Sequence, residues 1–302
     1  MLEDKSEDIG YIKKLFYEYL RKYGDIKRLD EEGRKNPFIG IGRFAVLKEY
    51  WDEFSKIYDS HEEKTLGETV DDCLFWEILE SHLPKERNAR ILDAGGGTGR
   101  CTLPLLKMGY KVTLSDFSSG MLEVARKKLV KENLVDRVEI EEANIMNLPF
   151  ADESFDFVLC MGGAISCAYP PRVASELVRV LKKRGKIFAD AINRYYVGVY
   201  GFGGNPQEAL QMVKSGHPVF LVPKEFEKLF QSKGIEVSHL YGYGGGGPSG
   251  LGILDLLPSE IIKARKWNDE TFSRLMELMR YLSKEPSIIG LAGSLILIGE
   301  KT

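Results

Sequence analysis

The chain lacks the residues that most often announce metal or redox chemistry. Its four cysteines (Cys73, Cys101, Cys160 and Cys167) form no C-x-x-C pair, which excludes a zinc ribbon and a thioredoxin-type motif. Two of them fall in segments that read as core, where a thiol behaves as a small apolar side chain in a reducing compartment. Histidine is scarce, four in 302 residues, and His61, His82 and His239 stand at no ligand spacing with cysteines or carboxylates. No metal is expected. No segment approaches the ~20 consecutive apolar residues of a membrane span. Met1 to Asp8 is charged where a secretion signal would be apolar. The expectation is a soluble, cytoplasmic protein. An excess of positive charge is missing too: 42 Lys and Arg stand against 45 Asp and Glu, a net charge of -3. A generic phosphate-neutralising surface is not encoded, and nucleic acid is not the expected partner.

What the chain has is apolar material, 43% of its residues, enough for a sizeable core, and one concentrated run of glycine. Arg90-Ile91-Leu92-Asp93-Ala94-Gly95-Gly96-Gly97-Thr98-Gly99 starts apolar, turns acidic at Asp93 and then places four glycines within five residues. Ile91 and Leu92 read as the buried end of a strand. The glycines read as a tight turn whose backbone comes close to a ligand, since no Cβ intervenes. The helix expected over 99–107 would point free N–H groups at that ligand. Lys111-Val112-Thr113-Leu114-Ser115-Asp116 is a second short strand, ending in a carboxylate 23 residues after Asp93. An acid at that place can accept both hydroxyls of a ribose. The glycine spacing is G-x-G-x-G (Gly95, Gly97, Gly99), and Arg100 stands where a dinucleotide fingerprint has its last glycine. No Gly-Lys-Ser/Thr follows, so this is not a Walker loop.

These residues resemble the class I S-adenosylmethionine (SAM) methyltransferases. The family's first motif, hydrophobic-hydrophobic-Asp/Glu-x-G-x-G-x-G, is matched at every position from Ile91 to Gly99. The strand ending in Asp116 resembles the family's ribose-binding acid. Asn144 to Phe150 resembles its D-A-x-x-L-P-F segment beside the adenine, with Asn144 in place of Asp. Phe155 to Cys160 resembles its fourth strand, and "LVRVLKKRGKIFAD", Leu177 to Asp190, its following helix, turn and fifth strand. The resemblance runs from residue 85 to residue 195 and looks most like the small-molecule, quinone-biosynthesis type. It implies SAM as cofactor, held by Asp93, Gly95, Gly97, Gly99, Asp116, Asn144, Ile145, Met161 and Gly162. Phe117 and Met121 either line the adenine or belong to the core. An Asn carbonyl can still receive an adenine amino group.

Patterning places the motifs on an α/β frame. Strands over 90–94, 111–116, 137–142, 155–160, 185–191, 235–241 and 294–298 alternate with helices over 118–132, 171–182, 223–232, 259–266 and 269–284. Such alternation implies a doubly wound, mostly parallel sheet with ligands beyond the carboxyl ends of its strands. The resemblance adds that the last strand of the seven runs antiparallel. Apolar spacing before residue 84 predicts helices over 9–22, through Phe44 to Tyr58, and over 68–83. Residues 1–84 therefore read as a helical extension, and 85–302 as the SAM-binding domain with an insertion at 194–222. Both the extension and the insertion are expected to wall the acceptor pocket, with Tyr195 or Tyr196 facing it.

Methyl transfer from a sulfonium needs alignment and exclusion of water more than a covalent nucleophile. No catalytic motif stands out; His217, Tyr195 and Tyr196 are the candidates. Tyr50, Tyr58, Arg43 and Arg194 could meet the sulfonium or the methionine carboxylate. Asp190 and Asn193 are polar groups near a strand end, but the third carboxylate of a catechol-type metal site is missing after Cys160. The Asn/Asp-Pro-Pro-Tyr motif of adenine methylation, the Pro-Cys of cytosine methylation and the paired glutamates of arginine methylation are absent as well. A small, partly apolar acceptor is the expectation. A tRNA methyltransferase, or a SAM-binding protein without transferase activity, are the alternatives.

Overall fold

The computed structural model describes residues 47–59, 64–201, 206–216, 219–244 and 257–302. The expected helix at 9–22, Arg43 and His217 lie outside them. Among the described residues the chain opens with helices α1 (Lys48–Tyr58) and α2 (Leu66–His82). α2 begins at a capping box: Thr65 Oγ1 accepts the Glu68 N–H while Glu68 Oε2 accepts the Thr65 N–H. The alternating core follows as β1 (Arg90–Ala94), α3 (Thr102–Lys107), β2 (Lys111–Asp116), α4 (Ser119–Lys131), β3 (Val138–Glu142), β4 (Phe155–Cys160), α5 (Pro170–Val180) and β5 (Leu181–Ile192). Then come α6 (Arg194–Gly201), α7 (Pro206–Ser215), α8 (Pro223–Gln231), β6 (Ile235–Tyr243), α9 (Ser259–Ile262), α10 (Asp269–Leu282), α11 (Pro286–Ile289) and β7 (Ser294–Lys301).

The strands form one seven-stranded sheet in the order β3-β2-β1-β4-β5-β7-β6. β1 pairs in parallel with β2 and β4, while β7 is antiparallel to both β5 and β6. The order reverses between β1 and β4, and that is where two outgoing connections diverge and leave a crevice. The two faces are covered separately. One apolar cluster joins Ile91, Phe157, Leu159 and Phe188 to α2, α3 and α10; the other joins Leu92, Val158, Ile187 and Ala189 to α5 and α8. Alternate residues of a strand thus enter opposite cores, as strand geometry requires. No described helix is long and apolar enough to cross a membrane.

Three local differences from the sequence reading have physical causes. The helix after the glycine run begins at Thr102, not Gly99, because Gly97 and Gly99 take φ of +54° and +77°, which is left-handed and not helical. β5 starts at Leu181, with a register shift opposite Phe155 and Phe157 where Arg184 takes φ +60°. Within the 194–222 stretch the sequence reading placed no helices, and its described residues hold two. The stretch folds into α6 and α7 around an apolar cluster of its own, Val197, Met212, Val219 and Phe220. Gly198 lets the two helices close up: a Cβ there would sit 2.3 Å from Val213 Cγ2.

Candidate functional site

The carboxyl ends of β1, β2 and β4 carry the candidate residues. The Gly95 and Gly96 N–H groups both donate to the Ser115 carbonyl, which pins the glycine turn to β2. The turn is packed below and open above. A Cβ on Gly96 would lie 2.5 Å from Leu114 Cδ1 and 2.6 Å from Asp93 Cγ, and one on Gly95 2.7 Å from Ala164 Cβ. A Cβ on Gly97 or on Gly162 would meet nothing within 4 Å. Gly97 and Gly162 follow β1 and β4, the two strands at the switch point, so open space lies where the topology opens the sheet.

Asp93 is 1% exposed and Oδ2 accepts the Thr102 hydroxyl at 2.7 Å. It ties the turn to α3 from beneath, so its structural role is plain. Burial pushes its carboxyl up to about 6, against the Thr102 bonds. Asp116 is held from both sides: Oδ2 accepts the Gly97 N–H at 3.0 Å and Oδ1 accepts the Ser118 N–H at 2.9 Å. Burial also lifts this carboxyl to about 6, against those N–H groups. The acid expected to meet a ribose is thus fixed to the glycine turn by one oxygen and to the start of α4 by the other. Ser118 caps α4 by accepting the Met121 N–H. Phe117 is half-buried beside the acid, and Met121 is 2% exposed.

The 144–150 segment is clamped onto α5. Asn144 is exposed and its Oδ1 accepts the Met146 N–H at 2.9 Å, a local turn that leaves one lone pair of the oxygen for another donor. Ile145 is half-buried, 3.7 Å from a Cβ built on Gly95. Glu176, 6% exposed, accepts the Leu148 N–H at 2.9 Å, and Arg179 donates to the Leu148 and Phe150 carbonyls. On the β4 side Met161 is 8% exposed and belongs to the apolar core, while Gly162 and Gly163 turn at φ +76° and +75°.

Sequence reasoning missed several residues that the structure brings to this end. The first is Gly96, whose underside has no room for any side chain. Arg100 is another; its guanidinium lies 5.2 Å over the Phe75 ring and donates to Asp72 at 2.5 Å. The signal was its place directly after Gly99. Asp52 and Asp59 on and after α1 are a third group. Asp52 Oδ1 accepts the Ser118 hydroxyl at 2.7 Å and the Gly120 N–H at 3.0 Å, and Asp59 accepts the Thr98 hydroxyl at 3.0 Å and Lys128 Nζ at 2.9 Å. α1 is therefore tied to both the ribose-side turn and the glycine turn. Tyr58, on the same helix, feels the charges of Arg100 and Asp116, and burial pushes its phenol up to about 12.

Other candidates stand apart. Arg194 is committed to Glu225 by two bonds of 2.7 and 2.9 Å, which corrects its reading as a counterion for a ligand carboxylate. Tyr195 is 42% exposed, and Tyr196 is half-buried. Among the described residues no group of three or more His, Cys, Asp or Glu is placed to hold a metal ion.

A family model described as a methyltransferase domain matches residues 92–189. The stretch from β1 to β5 is thus similar to a methyltransferase domain. The chain is 38% identical over 137 residues to a demethylmenaquinone methyltransferase of Clavibacter sepedonicus, covering 45% of this chain and 54% of that one. It is 39% identical over 124 residues to a phosphatidylethanolamine N-methyltransferase of Cereibacter sphaeroides, covering 38% and 60%. The chain thus spans little more than half the length of these relatives. A solved SAM-dependent methyltransferase of Thermotoga maritima, titled a possible histamine N-methyltransferase, shares the fold of the methyltransferase domain. It matches at a TM-score of 0.51 and 22% identity, over 85% of this chain and 99% of that one.

Proposed function

We propose that the chain transfers a methyl group from SAM to an oxygen, nitrogen or carbon atom of a small, partly apolar acceptor. The observation that carries the reading is the crevice at the switch point. Open space above Gly97 and Gly162 is bordered by a carboxylate, Asp116, already oriented by the Gly97 and Ser118 N–H groups. That arrangement suits a nucleoside: a ribose on Asp116, an adenine along Phe117, Asn144 and Ile145, and an amino-acid end toward Gly95, Gly97, Gly99, Met161 and Gly162. When bound there, the cofactor supplies a methyl group already activated by a sulfonium. The chain's own residues then have to orient and to exclude water. α1, with Tyr50 stacked on Phe54 and Phe54 edge-on to Tyr58, is tied to the glycine turn and is the first wall. The 194–222 segment, leaving directly from the end of β5, is the second.

Quinone-precursor chemistry is the first acceptor class to test, because the Clavibacter relative carries that name and the sequence has no excess of positive charge for RNA. Calorimetry with SAM and with NAD tests the cofactor; tight NAD binding without SAM binding would overturn the reading. Methyl-labelled SAM incubated with demethylmenaquinol and with a metabolite extract, followed by mass spectrometry, tests the acceptor. Binding without any labelled product would favour a SAM-binding protein without transferase activity.

A further inference from the structure

Arg100 is a charged side chain that the cofactor reading leaves without a task. It directly follows Gly99, the last glycine of the turn, and stands just before α3 begins at Thr102. The backbone between turn and helix is held on two sides. Beneath it, the Thr102 hydroxyl donates to Asp93 at 2.7 Å. Beside it, Arg100 reaches away from the turn to α2. Its Nη2 donates to Asp72 Oδ1 at 2.5 Å, and the guanidinium lies 5.2 Å over the ring of Phe75, the next residue on the same face of that helix. A further bond joins the guanidinium to the Tyr243 hydroxyl at the end of β6.

The partners are themselves fixed. Asp72 Oδ2 accepts Lys64 Nζ, and the neighbouring Asp71 accepts the Gly244 N–H at 2.9 Å. Phe75 and Tyr243 are each 1% exposed, with their rings 6.0 Å apart, and Phe75 packs edge-on against Phe188 of β5. A part-exposed ion pair is worth little by itself. Here a carboxylate, a phenol and an aromatic face converge on one planar guanidinium, a set that an ammonium cannot meet at once. The turn has need of such an anchor. Gly95, Gly97 and Gly99 all take positive φ, and glycine has the most backbone freedom to lose on ordering. At the entry the Gly95 and Gly96 N–H groups are pinned to the Ser115 carbonyl. At the exit the hold comes from Thr102 and Arg100.

We propose that Arg100 is a positioning residue: through Asp72 and Tyr243 it fixes the exit of the glycine turn, and so makes α2 part of the cofactor site. The inference rests on the SAM reading above. α2 lies before residues 92–189, the stretch similar to a methyltransferase domain. The cofactor platform thus extends into a helix that precedes that stretch. The part of the ligand that depends on Arg100 is the amino-acid end, which that reading places over Gly95, Gly97 and Gly99. The adenosine end rests on Asp116 and the 144–150 segment, which Ser118 and α5 hold in place.

The test uses the full chain and two ligands that differ in this end alone. S-adenosylhomocysteine and 5′-methylthioadenosine share the adenosine and the thioether, and the second lacks the amino-acid end. Calorimetry measures both, with SAM, on wild type, Arg100→Gln, Arg100→Lys, Asp72→Asn and Tyr243→Phe. We expect Arg100→Gln to lose at least about tenfold in affinity for SAM and S-adenosylhomocysteine and to stay within about threefold for 5′-methylthioadenosine. Arg100→Lys should recover part of the loss. Asp72→Asn should weaken SAM in the same sense, and combining it with Arg100→Gln should add little, because the two act as one unit. If the Gln variant does not fold, Tyr243→Phe, which deletes one hydroxyl, carries the same comparison. A folded variant with wild-type affinity for S-adenosylhomocysteine would overturn the proposal. Equal weakening of both ligands would overturn it as well, since that marks general loosening of the fold. So would a SAM loss in Arg100→Gln with none in Asp72→Asn or Tyr243→Phe, which would make Arg100 a cofactor ligand. Wild type that binds neither SAM nor S-adenosylhomocysteine removes the SAM reading itself.

Discussion

Replacing Asp116 with Asn separates its role in binding from its role in folding. In the ligand-free protein the carboxylate accepts two backbone N–H groups and is 8% exposed. Asn offers one carbonyl oxygen and one NH2 group, so one of the two N–H donors faces another donor. The lost charge-assisted bond costs about 1.5–3 kcal/mol. Against this stands the relief of a buried charge. The carboxyl rises from 3.8 to about 6 on folding, a shift that destabilises the ionised form by an amount on the order of 3 kcal/mol above pH 7. The sign follows from proton binding. The native state holds its proton more tightly than the unfolded chain, so wild type gains stability as pH falls from about 7 toward 4. Asn cannot take up that proton. At pH 8 the variant should therefore melt close to wild type, and at pH 5 clearly below it.

SAM binding should respond differently. Asn cannot accept both ribose hydroxyls as a charged group does, so affinity should fall by about 2–3 kcal/mol, about 30- to 150-fold. Wild-type affinity should itself weaken below pH 6 as Asp116 takes its proton. Calorimetry and thermal melts at pH 5 and pH 8 measure all four quantities. A SAM affinity within threefold of wild type in the folded Asn variant would remove Asp116 from the site. A melting difference that does not widen toward low pH would refute the account of its burial.

Further perturbations probe neighbouring parts. Gly96→Ala has no room beneath the turn and should destabilise the fold by about 2 kcal/mol or more, whereas Gly97→Ala meets nothing and should cost about 1 kcal/mol for its φ of +54° yet abolish SAM binding; melts and calorimetry on both compare them, and equal melting points would refute the distinction. Arg179→Ala leaves the Leu148 and Phe150 carbonyls without their donor and the buried Glu176 carboxylate with only the more distant Arg172 at 4.0 Å, and should lower stability by about 2–3 kcal/mol, read by urea titration. Asp52→Asn together with Asp59→Asn should speed SAM release several-fold, with the wild-type rate rising toward the variant's as salt is added. Stopped-flow release showing no salt dependence would leave α1 without a covering role.

The frame was legible because it repeats a simple rule. Strands that alternate with helices build a parallel sheet, and the glycine run and Asp116 both fall at strand ends by counting alone. The site was legible only where chemistry is concentrated in one short stretch. Gly97 and Asp116, read separately, turn out to be joined by one hydrogen bond. Gly96 was invisible because its constraint is a neighbour's volume, Leu114 and Asp93, and not its own backbone angle. Arg194 was misjudged because its partner, Glu225, lies 31 residues away. Of the two helices of 194–215, the first is rich in glycine and tyrosine and carries weak helical spacing; the apolar cluster they share decides the matter.

α1 shows why a cover of this kind is hard to read from sequence and easy to read from contacts. Neither of the two large apolar clusters on the sheet includes a residue of α1. Its described ties to the core include Lys48 with Ser119 and Glu142, Asp52 with Ser118 and Gly120, and Asp59 with Thr98 and Lys128. The charged side chains among them are about one-third to one-half exposed, so each ion pair is worth at most about 1 kcal/mol and is screened by salt. α1 also packs closely on α4: Tyr50 and Ser55 are buried, and a Cβ on Gly120 would lie 2.9 Å from the Asp52 backbone. Two of the polar bonds, to Thr98 and Ser118, end on the turns that follow β1 and β2, beside Gly97 and Asp116; the others end on α4 and on the end of β3. The salt dependence of SAM release in the paired Asp52 and Asp59 variant reads whether these ties bear on the cofactor turns.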